Sequence, residues 1–191
     1  GERRILEPEK NLKIVQRWIH CNVLQRGDIP IHKSSVAYMP GCSTFEAAGR
    51  HCRCRWLIKI DIRNFFESVR EDKVFEAYRA LGYRNLLSFE LARICTLSEE
   101  QFEYRGPFRH RHLTAPRIDD SKGDTPWLKS YPAYRTTRAM GYLPQGAPTS
   151  PVLSNIVMNR FDQAMFMVAQ DAGFVYTRYA DDIIMSSHAL S

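Results

Sequence analysis

No apolar run in this 191-residue chain approaches the roughly 18 residues that a membrane-spanning helix needs, so none of it reads as a transmembrane segment. No signal peptide is read at the start, and the first residues, Gly1-Glu2-Arg3-Arg4-Ile5-Leu6-Glu7-Pro8, read as a strand already under way. Cysteine is sparse and odd in number. Cys21, Cys42, Cys52, Cys54 and Cys95 are too few for a disulfide scaffold, so reduced thiols in a cytosolic setting are expected. His51, Cys52 and Cys54 with Cys42 could be drawn as a zinc site, but their spacing matches no standard pattern. Acidic residues are outnumbered, 21 against 27 Lys and Arg, and a net charge of +6 with a pI near 9.2 suits a polyanionic partner. With 44% hydrophobic residues and a mean hydropathy of −0.39, the chain can bury a sizeable core in one domain or two small ones.

What is present falls into an ordered series of elements. Leu12, Val15, Ile19 and Val23 recur at helical spacing, with Gly27 a natural stop. Residues 28–43 are loop-like, and a short helix is predicted around 44–51. Trp56-Leu57-Ile58-Lys59-Ile60-Asp61-Ile62 is a strand signal, and its nearly continuous apolar character predicts burial on both faces at a sheet centre. An acid at the end of such a strand is costly unless it is paired or binds metal. Ser68-Val69-Arg70-Glu71 has the pattern of a capping box, and Val74, Phe75, Tyr78 and Leu81 form the stripe of a helix ending at Gly82. A further helix would turn Leu87, Leu91 and Ile94 inward. Between residues 99 and 140, Arg105, Arg109, His110, Arg111, His112 and Arg117 interleave with Phe102, Tyr104 and Phe108, a composition suited either to nucleic acid or to a solvated insertion. The loop 141–149 then runs into a long helix with Ser150 as N-cap and Pro151 first. Leu153, Ile156, Val157, Ala164, Met165 and Val168 would form its buried face, and Gly173 its end.

The last stretch is the one the others serve. Phe174 to Met185 places Asp181 and Asp182 between two β-prone runs, a strand–turn–strand with the acids at its tip. Neighbouring strand residues point to opposite faces, so the two acids can share a site only where the backbone turns. Two like charges that close repel, and a divalent cation relieves them. Hard adjacent oxygens suit Mg²⁺. Alone, an Asp-Asp pair would be an ordinary solvated turn. Here it follows a buried strand ending in Asp61 and a Gly/Pro loop at a helix start, the chemical ingredients of two-metal phosphoryl transfer. Asp61 could join the pair only if its strand neighbours the hairpin.

With these residues the chain resembles the reverse transcriptases. Tyr179-Ala180-Asp181-Asp182 is similar to their Tyr-x-Asp-Asp box, Ile60-Asp61-Ile62-Arg63-Asn64-Phe65-Phe66 to their first catalytic motif, and Leu143-Pro144-Gln145-Gly146 to their dNTP-site loop. The fuller Leu-Pro-Gln-Gly-Ala-Pro-Thr-Ser-Pro-x-Leu-Ser-Asn (143–155) resembles retron and related bacterial defence enzymes. Retron enzymes typically carry Asn-Ala-x-x-His after the first helix, whereas this chain has Ala47-Ala48-Gly49-Arg50-His51.

The resemblance implies an α+β, right-hand polymerase fold of fingers and palm, with an antiparallel palm sheet packed on helices. Fingers would comprise 1–22 and 69–148, with the basic and aromatic insertion at about 99–140. Palm would comprise 23–68 and 149–191, and the thumb would be absent from this chain. It implies RNA-directed DNA synthesis in the bacterial cytoplasm with two Mg²⁺, which Mn²⁺ could replace, on an RNA template with a DNA or RNA primer. A cognate non-coding RNA is a further implied partner, and no membrane is. Asp61, Asp181 and Asp182 would be catalytic and ligate metal, with the Ile62 carbonyl a further ligand. Arg3, Asn64, Phe65, Phe66 and Gln145 would bind dNTP, Phe66 as the gate against a ribose 2′-OH and Arg3 on the triphosphate, with Arg4 its substitute. Tyr179, Ala180, Gly146 and Arg4 would meet primer or template. Two rivals stay open: a defence-type polymerase making DNA without a fixed template, and a nucleic-acid-binding scaffold with an idle site.

Overall fold

Helical periodicity sets the first element of the computed structural model, which describes residues 5–26, 28–98 and 140–188. Helix α1 spans Lys10–Asn22. Gln16, Ile19 and, just past its end, Val23 are buried, whereas Leu12 and Val15 stay exposed, so only the C-terminal half of the expected stripe is used. Arg3, Arg4, Gly27 and the basic–aromatic stretch 99–139 lie outside the described residues. The chain divides into two units, Gly1–Gln16 with Phe66–Ser150, and Arg17–Phe65 with Pro151–Ser191. No helix among the described residues is long and apolar enough to cross a membrane.

In the first unit, α4 (Glu71–Ala80) packs on α5 (Asn85–Cys95). Val74, Phe75 and Tyr78 are buried as their spacing predicts, and Gly82, with φ +91°, makes the turn that stops the helix. The phase of α5 differs from the expectation. Ser88, Leu91, Ala92 and Cys95 face inward while Leu87 is exposed. Polar anchors outweigh one leucine here: the Ser88 hydroxyl donates to the Tyr83 carbonyl, and Tyr78 Oη meets Cys95 Sγ at 3.3 Å. Nor does the capping box form in the expected register. The N-cap is Arg70, so Glu71 opens the helix instead of closing its first turn. The fully buried Glu71 carboxylate accepts from the Gly141 N–H (2.8 Å) and from Arg93 (3.1 Å). That union leaves no room at Gly141, where a Cβ would lie 2.7 Å from Thr96 Oγ1 and 2.8 Å from Glu71 Oε2.

The second unit holds a three-stranded antiparallel sheet, ordered β1 (Trp56–Asp61), β3 (Asp182–Ser187), β2 (Val175–Tyr179). Among the described residues strand β1 is therefore an edge, not the centre. Trp56, Leu57, Ile58 and Ile60 are between 44% and 58% exposed, which corrects the reading of a strand buried on both faces. An apolar run reports what a strand could bury, not what the chain sets against it. The opposite edge is covered: Arg178 N–H donates to the Ser34 carbonyl and Val36 N–H to the Arg178 carbonyl. Short helices α2 (Thr44–Gly49), whose N-cap Ser43 accepts from the Glu46 N–H, and α3 (Phe65–Ser68) flank β1 in sequence.

Helix α6 spans Ser150–Asp171. The Ser150 hydroxyl donates to the Pro144 carbonyl, binding the loop to the helix start. Leu153 and Ile156 are buried and Val157 and Met165 half-buried, but Ala164 and Val168 are exposed. Asn155, Asp162 and Ala169 are buried instead, at seven-residue intervals on one helix face. Ala169, Tyr176 and Ile183 form a small core, packed by Ile62, Met165, Phe166, Phe174 and Met185.

Candidate active site

Strand pairing brings the three expected acids to one end of one sheet. Asp61 lies directly opposite Asp182 across β1 and β3, and directly paired residues share a face. Asp181 occupies the two-residue turn between β2 and β3, and its carbonyl accepts from the Ile62 N–H at 2.9 Å. Asp61 is exposed, while Asp181 and Asp182 are half-buried. Opposed carboxylates destabilise a strand pair unless a cation intervenes. Lys59, two residues before Asp61 and so on its face, supplies one: its Nζ is 3.0 Å from Asp182 Oδ2. Among the described residues no three Asp, Glu, His or Cys side chains form a ready-made metal cage. Hard oxygen donors that converge only in part fit Mg²⁺, which keeps waters and completes its shell with substrate phosphates.

The turn itself is strained. Ala180 has φ +55°, the first-turn position that glycine usually takes, at a cost of roughly 1–2 kcal/mol for a residue with Cβ. Beneath it lies a buried network. Arg178 is 0% exposed and grips Asp162 of α6 with two bonds, Nε to Oδ1 at 2.8 Å and Nη2 to Oδ2 at 2.7 Å. Nη2 also reaches Ser35 Oγ (3.1 Å) and Asn155 Oδ1 (3.2 Å), and Nη1 donates to the Ala180 carbonyl at 2.9 Å. The guanidinium lies 5.7 Å over the buried Phe65 ring. Tyr176 Oη donates to Asp162 Oδ1 at 2.7 Å, and burial followed by that bond pushes its phenol well above the usual range.

The opposite face of the hairpin is held by His51. Its Nδ1 is 2.7 Å from Ser186 Oγ and its Nε2 2.7 Å from Thr177 Oγ1, bridging β3 and β2. Burial, and then the charge of Arg50, holds the imidazole below its ordinary pKa of 6.5. Both ring nitrogens are thus occupied, and no metal grouping with the cysteines forms among the described residues; all five cysteines are free thiols. Tyr38, at φ +60°, sets its ring 6.5 Å from that of Tyr179, and burial followed by the nearby Asp181 charge raises its phenol.

Phe66 is half-buried and Asn64 takes φ +51° directly after the Asp61 strand. Gln145 and Gly146 belong to the other unit, where the Gln145 carbonyl accepts from the Leu6 N–H at 2.7 Å. Gly146, with φ +116° and the Leu6 carbonyl oxygen 3.0 Å from where a Cβ would stand, is required by backbone packing there. Sequence reasoning missed Arg178, Asp162, Asn155, Ser35 and Tyr38. Two signals were available: Arg178 falls on the inward phase of β2 with Tyr176, and Asp162 follows Asn155 by seven residues on one face of α6.

A strand-borne acid opposite an acid pair at a hairpin turn is the disposition expected of a metal-dependent nucleotidyl transferase. The family described as reverse transcriptase (RNA-dependent DNA polymerase) matches residues 1–191, and the chain belongs to it. Over 187 residues it is 31% identical to the Retron Mx162 reverse transcriptase of Myxococcus xanthus, covering 97% of this chain and 33% of that one. It is 27% identical over 188 residues to the Retron Ec86 reverse transcriptase of Escherichia coli, covering 98% of this chain and 45% of that protein. The Retron Mx65 reverse transcriptase of M. xanthus is 31% identical over 187 residues, with 97% and 38% covered. The chain therefore spans about a third to a half of the length of these relatives.

Proposed function

We propose that this chain carries the catalytic acids of a retron-type RNA-directed DNA polymerase, which adds dNTPs to a primer on an RNA template. The observation that carries this reading is the register of Asp61 against Asp182, with Asp181 in the adjoining turn. Asp61, Asp181 and Asp182 are the residues that would hold two Mg²⁺, with the Ile62 carbonyl as a further donor. Bound there, the ions would supply charge neutralisation for the triphosphate and acidify the primer 3′-OH. The protein's own part is positioning. The strained turn presents Asp181, the strand pair aligns Asp61 with Asp182, and Lys59 balances the like charges in the ground state.

In the same reading the unit of Arg17–Phe65 and Pro151–Ser191 is palm and the other is fingers. Phe66 discriminates against a ribose 2′-OH, Gln145, Asn64 and Phe65 serve the nucleotide, and Tyr179 and Ala180 meet the primer end. Arg3 or Arg4 would grip the triphosphate. The relatives are retron reverse transcriptases, and in this reading a cognate non-coding RNA is the expected partner.

The deciding experiment is primer extension on poly(rA)/oligo(dT) with dTTP and Mg²⁺, for these 191 residues and for the complete polypeptide that carries them. Asp181→Ala should lower incorporation roughly 1,000-fold, equivalent to about 4 kcal/mol of transition-state stabilisation. Incorporation unchanged by Asp181→Ala would overturn the assignment of the acids. Failure of a folded, complete protein to extend any primer would overturn the polymerase reading.

A further inference from the structure

We propose that Arg178 is a positioning residue for Asp181, and that the buried Arg178–Asp162 pair exists to aim the turn rather than to hold the fold together. The proposal rests on the polymerase reading for its consequence in turnover, and on the geometry alone for its mechanism. Asp181 is fixed through both peptides that flank it. The peptide after it is held by β1, because the Ile62 N–H donates to the Asp181 carbonyl. The peptide before it is held by Arg178, whose Nη1 donates to the Ala180 carbonyl. With one plane set on each side, the direction of the Asp181 side chain follows. Ala180 sits at φ +55° between these two grips, so without the guanidinium its left-handed conformation would have less to hold it.

The guanidinium can do this only if it is itself immobile. Asp162 takes Nε and Nη2 in a two-pronged grip, Ser35 and Asn155 share Nη2, and Phe65 closes one face, which leaves Nη1 aimed at the turn. Asn155 is in turn tied to the Ala37 carbonyl through its Nδ2, and the Ser35 hydroxyl donates to Asn155 Oδ1. Four separate chain segments thus converge on one side chain: residues 35–37, Phe65, α6 and the turn. A buried ion pair is by itself weak evidence for stability, because well-packed apolar residues of similar volume often serve as well. A forked donor that also reaches a turn carbonyl is something apolar residues cannot replace.

The test uses the complete protein and three variants: Arg178→Lys, Asp162→Asn, and the double change Arg178→Met with Asp162→Leu. A lysine keeps the charge beside Asp162 but cannot fork to Ala180. Two readouts are taken on folded protein. The first is kcat and KM for dTTP. The expectation is a kcat 10- to 100-fold lower with KM within about two-fold, the range seen when groups supporting metal ligands are removed. The second is amide hydrogen exchange, which does not depend on activity. The Ile62 amide should exchange about ten-fold faster in Arg178→Lys while the Thr177 and Ile184 amides of the hairpin body stay within about two-fold.

A folded double variant with kcat near the parent's would overturn the proposal, as would exchange that rises uniformly along the hairpin or not at all at Ile62. Should the double variant fail to fold, Arg178→Lys decides alone, since its charge stays paired. Asp181→Ala run alongside separates the two ideas. If it abolishes incorporation and Arg178→Lys does not lower kcat, only the positioning role falls. If the parent extends no primer, the polymerase reading falls and the exchange measurement still judges the turn.

Discussion

Two buried charges, Arg178 in one unit and Glu71 in the other, show how differently a fold can hold an ion. Arg178 is satisfied from four sides and paired with a carboxylate that is itself 0% exposed. Glu71 is equally buried, yet among the described residues only its Oε2 is served, by Gly141 and Arg93, and Oε1 has no hydrogen-bond partner there; Arg93 remains 27% exposed. The first centre is closed on itself. The second opens through its arginine toward solvent. The contrast predicts that one should be intolerant of any loss and the other forgiving.

Asp162→Ala leaves the Arg178 charge buried and uncompensated, and should cost about 3–5 kcal/mol in urea unfolding. A cost under about 1 kcal/mol would break the comparison. Gly141→Ala is next: a Cβ driven between Thr96 and Glu71 should cost about 2 kcal/mol by the same measurement, because neither side chain can retreat from a buried site without breaking a bond. Glu71→Gln should cost only about 1 kcal/mol, since the amide oxygen still accepts from Gly141 and Arg93 can rehydrate. A loss as large as that of Asp162→Ala would make the two centres alike.

The smallest effect is expected at His51. Its folded pKa lies below the ordinary 6.5, so the unfolded chain takes up the proton first as pH falls. Stability is complete above about pH 6.5 and declines as pH drops from there toward the folded value. His51→Gln, which keeps one donor and one acceptor, should flatten part of the decline in melting temperature between pH 7.5 and 5.5. The remainder would come from His20 and His32, also lowered by burial. An unaltered slope would show that the hairpin bridge takes no part.

Much of the secondary structure was legible because periodicity encodes it. The Val74–Phe75–Tyr78 stripe, the 44–51 helix and the hairpin with acids at its turn all form where the pattern places them. What the pattern could not supply was the surface each apolar face would meet. Strand β1 reads as central and stands at an edge, and Val168 reads as core and is 62% exposed. The acids themselves were readable as chemistry, whereas the register of Asp61 with Asp182 depends on pairing between residues some 120 apart and had to be seen. The support beneath them was hidden for another reason. Arginine and aspartate are counted as surface residues, and only their phase on β2 and α6 marks Arg178 and Asp162 as inward.

The edge position of β1 also bears on how this polypeptide behaves at high concentration. Among the described residues β1 pairs only with β3, so its other side presents backbone donors and acceptors along Trp56–Asp61, flanked by exposed Trp56, Ile58 and Ile60. Such an edge is a template for strand-to-strand stacking between molecules, and the charges interrupting it are Lys59 and Asp61. Where that edge is left uncovered, Lys59, the counter-ion to Asp182, would also serve as a gatekeeper against self-association, and replacing it with an apolar residue should be felt first as turbidity.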